Sequence, residues 1–165
     1  MKTKRYTILA LLTTIAIIFG YVEFLFPLPV PIPGIKPGLS NIVIMLCLYG
    51  FGFKTAGIVM ILKVVLTFML FQTPLTFVYS LSGAVVSLIV MSALKKFNFN
   101  IICVSIGGAV FHNIAQLITA SLILKNINVL YYIFVLIIAG IIFGILTGLI
   151  TKIIYKRVIY LIKKY

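Results

Sequence analysis

The sequence predicts an all-α polytopic membrane protein of six helices. Three observations carry the prediction. Of the 165 residues, 64% are hydrophobic and 9% are charged, against about 25% charged in an average globular domain. The apolar residues form long runs rather than alternating, which is the pattern of membrane helices and not of core strands. The basic residues gather in short clusters between those runs, as they do in the loops of membrane proteins. The net charge of +13 therefore points to topology and a lipid bilayer as partner, and no nucleic-acid partner is expected.

Each element follows from its punctuation. Helix one is expected over about residues 6–26, after Lys2, Lys4 and Arg5. That start resembles a secretory signal, but no small-residue cleavage site follows it, so an uncleaved first span is expected. Pro27 to Pro37 carries five prolines and cannot be regular helix. Helix two, about residues 39–49, is short for a span of about 20 residues. It is expected either to start in a wet or protein-lined pocket or to be tilted and completed by the loop before it. Gly50, Gly52 and Lys54 mark a tight turn before helix three, about residues 55–71. Gln72, Thr73 and Pro74 break the chain before helix four, about residues 76–94. Helix five follows over about residues 101–124, and Lys125, Asn126 and Asn128 form a short loop. Helix six, about residues 129–155, ends in a basic tail. No linker divides the chain, so residues 1–165 read as a single integral membrane domain.

Six spans put both termini on one side. Lys2, Lys4, Arg5, Lys54, Lys95, Lys96, Lys152, Lys156, Arg157, Lys163 and Lys164 then fall on that side, and only Lys36 and Lys125 on the other. The positive-inside rule places both termini in the cytoplasm of a bacterial cell.

The chain has one acidic residue, Glu23, and no aspartate. Magnesium-assisted phosphoryl or prenyl transfer needs clustered carboxylates, and glycoside hydrolysis needs a pair. No Ser-His-Asp set and no Walker loop is present. Cys47 and Cys103 have no metal-ligand spacing. No enzyme activity, cofactor or metal is expected.

Several residues are out of place in such a bilayer sequence. Lys63 falls near the middle of helix three, roughly 13 Å from either end at helical rise. A charge there costs about 3 kcal/mol on insertion scales and usually faces a cavity or a partner. On helix five, His112 and Gln116 share a face, with Asn113 beside them. Ser105, Ala109 and Thr119 extend that face into a stripe of small and polar residues, read either as pocket lining or as interhelical glue. Ser40 and Asn41 are expected to cap helix two, whose positive end, with Lys36 near it, could receive an anionic group. Glu23 stands just before that loop, in reach of Lys36, Lys63 or a cationic ligand group. The small-residue ridge Gly140, Gly144, Gly148 and the pairs Ala10–Thr14 and Ala16–Gly20 report close packing, within the bundle or against another subunit.

Five segments carry a family resemblance: Pro27 to Ile42, Leu48 to Lys54, the Lys63 position, Ser80 to Ala84, and Gly108 to Gln116. Together they resemble a family of small bacterial membrane proteins labelled both "Gx transporter family" and "heptaprenyl diphosphate synthase component I". The first label implies similarity to the S components of energy-coupling factor transporters. Those are six-helix proteins that capture a vitamin-like molecule and pair with a membrane scaffold and two ATPase subunits. The resemblance implies that Ala10 and Thr14 face the scaffold. The second label implies a non-catalytic membrane subunit of isoprenoid or quinone synthesis. The expected function is substrate binding for uptake, with the small-molecule ligand held by Glu23, Lys36, Asn41, Lys63, His112, Asn113 and Gln116.

Overall fold

The computed structural model describes residues 2–25 and 38–164, with side chains described for 7–25 and 38–157. Lys36 lies outside the described residues. The described chain is helical throughout: α1 Lys2–Leu25, α2 Leu39–Gly50, α3 Phe53–Phe71, α4 Pro74–Lys96, α5 Ile101–Leu124, a 3₁₀ turn at Ile127–Tyr132, and α6 Ile133–Lys164. Five of these helices are long and apolar enough to cross a membrane, and α2 is a shorter apolar one. The chain is a polytopic six-helix membrane bundle.

Local sequence sets the boundaries. Gly52 takes φ +88°, a left-handed backbone that suits glycine, and α3 starts there. Thr73 caps α4 in a reciprocal capping box with Thr76, and Pro74 occupies the first turn, where its missing N–H costs nothing. The Asn100 side chain accepts from the Cys103 N–H at 2.7 Å and opens α5. The basic tail expected after residue 155 continues the helix instead. At 32 residues α6 is about 48 Å long, more than a bilayer core requires.

The helices form a closed cycle in which neighbours are α1, α3, α4, α5, α6 and α2. The most extensive contacts join α5 to α4 and to α6. Water does not drive helix association inside a bilayer, so close packing and interhelical hydrogen bonds must do it. On the α5–α6 seam the packing is between backbones. A Cβ on Gly140, Gly144 or Gly148 would lie 3.0, 2.7 or 3.0 Å from the Cα of Val110, Ile106 or Ile102. That ridge therefore serves the bundle itself. The Ala16–Gly20 pair does too: Ala16 is fully buried and Gly20 faces Thr67 and Lys63 of α3.

Helix α2 is the most enclosed element, with seven of its twelve residues buried. Its lower turns (Val43, Ile44, Met45, Cys47, Leu48) pack with Ala56, Val59, Met60 and Val64 of α3, and with Leu88, Met91 and Val104. This apolar core fills the half of the bundle nearer the termini. The other half is polar inside.

Candidate functional site

That polar half encloses a cavity of about 50 Å³ to which all six helices contribute. At about 10–15 Å³ per water, it is the size of a few water molecules. Glu23, Gly38, Gln72 and Ser80 stand towards the end far from the termini. Lys63, His112 and Gln116 line the middle, and Met45, Met91, Ser105 and Thr147 the inner end.

Glu23 is 6% exposed on the last turn of α1. Its Oε1 accepts the backbone N–H of Leu39, the first residue of α2. The sequence reading that Ser40 and Asn41 cap α2 is corrected here. The N-cap position is Gly38, left-handed at φ +75°, and no side chain of the helix itself caps it. With Ser40 and Asn41 inside the first turn, the first amide of α2, that of Leu39, is met from another helix, by a carboxylate that also complements the helix dipole. The positive end of α2 therefore faces a protein carboxylate.

The opposite end of α2 mirrors this arrangement. The Lys95 Nζ, from the last turn of α4, donates to the Leu48 carbonyl at 2.6 Å and stands 4.9 Å from the Tyr49 ring centroid. The Tyr155 hydroxyl donates to the Tyr49 carbonyl at 3.4 Å, and the two rings meet edge-on at 5.5 Å. A cation and a hydroxyl thus meet the orphan carbonyls of a helix C-terminus.

Lys63 is half-buried in α3. Its aliphatic stem passes Gly20 of α1 within van der Waals reach, and it lines the cavity. The stripe on α5 divides between the two roles foreseen for it. Two members and the adjacent Asn113 bind other helices: Ser105 to Thr147 at 2.9 Å, Thr119 to Ser82 at 2.9 Å, and Asn113 Nδ2 to the Leu136 carbonyl at 3.0 Å, with Ser105 and Asn113 lining the cavity as well. His112 and Gln116 instead nest against Gly83 of α4, where a Cβ would come within 2.9 Å of the His112 ring and 2.8 Å of Gln116 Cγ. That missing side chain is what admits both residues to the cavity wall.

Glu23, Asn41, Lys63, His112, Asn113 and Gln116 all line this one cavity. Ala10 and Thr14 lie elsewhere, on the exposed face of α1, where the Thr14 hydroxyl bonds back to the Ala10 carbonyl at 2.9 Å. The sequence reading missed Ser87, which is 2% exposed and lines the cavity from α4. A signal existed: Ser80, Gly83, Ser87 and Met91 recur at helical spacing on one face. Among the described residues no three His, Cys, Asp or Glu side chains gather where a metal could bind.

A family profile described as heptaprenyl diphosphate synthase component I matches residues 12–154, most of the chain. No curated protein and no solved structure matches it. The chain belongs to the heptaprenyl diphosphate synthase component I family.

Proposed function

We propose that this family member is a membrane-embedded binding subunit for a small, partly polar molecule. In this reading it serves uptake across the bacterial cytoplasmic membrane, as S components do, and separate ATPase subunits supply the energy. The carrying observation is Lys63 at mid-helix in a cavity lined by polar groups from all six helices. A lysine at that depth is costly, and a bundle that needed only packing would place an apolar side chain there. With the termini in the cytoplasm, the cavity lies towards the outer leaflet. The Lys95 and Tyr155 contacts then seal α2 on the cytoplasmic side. The exposed Ala10–Thr14 face of α1 is left for a membrane scaffold subunit.

No catalytic role is included, because the single carboxylate already holds the start of α2. Native mass spectrometry of the purified protein tests the binding role by identifying the small molecule that travels with it. Lys63→Leu and Gln116→Leu should each abolish that adduct while the protein stays folded. Unchanged occupancy in both variants would remove the cavity from consideration.

The family description favours a second reading, a non-catalytic membrane subunit of heptaprenyl diphosphate or quinone synthesis. Co-purification separates the two. A scaffold with an ATPase pair supports uptake, and a soluble prenyl synthase supports the alternative.

A further inference from the structure

Towards the termini the cavity lining meets the apolar core, and Met45 and Met91 belong to both. Ser87 of α4 stands there, about 20 Å of helical rise from Pro74. Higher in the cavity the ionisable side chains are already engaged. Glu23 meets the Leu39 N–H, and Lys63 and His112 have partners within the chain. At the inner end Ser105 and Thr147 bond to each other at 2.9 Å. Ser87 differs from all of these. It is 2% exposed, it lines the cavity, and its hydroxyl has no hydrogen-bond partner among the described residues. Ser92 on the same helix returns its hydroxyl to the Leu88 carbonyl at 2.7 Å, as helix serines commonly do. Buried hydroxyls are normally bonded, so the Ser87 hydroxyl is left for a group that enters the cavity.

The surroundings specify that group. Gly108 of α5 stands opposite, where a Cβ would come 3.2 Å from the Ser87 Oγ and 2.7 Å from the Met91 Sδ. The hydroxyl is therefore flanked by bare backbone and by an unbranched thioether, which adapts to an irregular neighbour. A hydroxyl both donates and accepts. We propose that the ligand enters this end of the cavity with a hydroxyl, carbonyl or amide group bonded to Ser87, and with apolar carbon beside it against Met45 and Met91. The inference rests on the small-molecule reading above and adds to it the group that is recognised and the depth it reaches. A molecule entering hydrocarbon-first, as an acyl or prenyl chain would, leaves the hydroxyl unmet, and an unpaired buried polar group is costly.

The test uses the full chain in nanodiscs. Native masses are recorded for the wild type and Ser87→Ala, and methyl methanethiosulfonate, a small uncharged thiol reagent, probes Ser87→Cys. Cys47, fully buried in the apolar core, is the internal control. Ser87→Ala should lower adduct occupancy about tenfold, the loss expected for one buried hydrogen bond, with its unfolding midpoint retained. In Ser87→Cys the reagent should modify position 87 and leave Cys47 unmodified. An unchanged adduct in Ser87→Ala would overturn the inference and leave the small-molecule reading standing. A position 87 as inert as Cys47 would overturn it as well, since nothing then enters as far as that hydroxyl. A wild-type chain that travels with no adduct would overturn the small-molecule reading itself, and this inference with it.

Discussion

The α5–α6 seam and the seat of α2 hold the bundle together by different means. Along the seam, three glycines let one backbone rest on the other, and shape does most of the work. Helix α2 has no such ridge, and its ends are held by directional polar contacts with Glu23 of α1 and Lys95 of α4. Shape tolerates no added atom, whereas a polar clamp depends on charge and geometry but accepts an isostere. The cavity lies between these two regimes, with one wall from the rigid seam and the other from the clamped helix.

The largest expected effect tests the rigid side. Gly144→Val puts a branched side chain where even a Cβ would lie 2.7 Å from a backbone atom. A loss of about 3 kcal/mol or more is expected, at the upper end of overpacking costs. It would be read as a large fall in the unfolding midpoint in detergent. A midpoint within a few degrees of wild type would mean that the helices part easily and that the seam is not rigid.

A smaller effect tests the clamp. Glu23→Ala leaves the Leu39 N–H without its carboxylate and should cost about 1–2 kcal/mol. Glu23→Gln keeps an acceptor and should recover more than half of that loss. Equal losses in the two variants would show that charge, not hydrogen bonding, holds the start of α2. The smallest effect sharpens the contrast. Thr119→Val removes the bond to Ser82 between α5 and α4 and should cost about 0.6 kcal/mol, the usual value for one interhelical hydrogen bond in a bilayer.

The sequence makes the architecture legible because α3, α4 and α5 each open on a residue with a local mechanism. Gly52, Thr73, Pro74 and Asn100 act within a few positions of themselves. Lys63 stands out for the same reason, since its cost at that depth needs no knowledge of its neighbours. What depends on a second helix is harder to read. The stripe on α5 fixes a shared face, but not which residues meet α4, α6 or the cavity. Ser105 and Asn113 bind other helices and line the cavity as well, Thr119 binds Ser82 of α4, and His112 and Gln116 line the cavity beside Gly83. The capping of α2 was misplaced because its carboxylate comes from residue 23, on the far side of the proline-rich stretch. Lys95 reads as one more cytoplasmic lysine, since its partner at Leu48 is 47 positions away.

That separation also sets an order along the chain. At 12 residues, about 18 Å, α2 is too short to cross a bilayer by itself. The partner of its first amide, Glu23, precedes it in the chain, whereas the partner of the Leu48 carbonyl, Lys95, follows 47 positions later. A chain ending before α4 would therefore keep the residue that meets the beginning of α2 and lack the lysine that meets its end. The second helix of the bundle is completed only by its fourth.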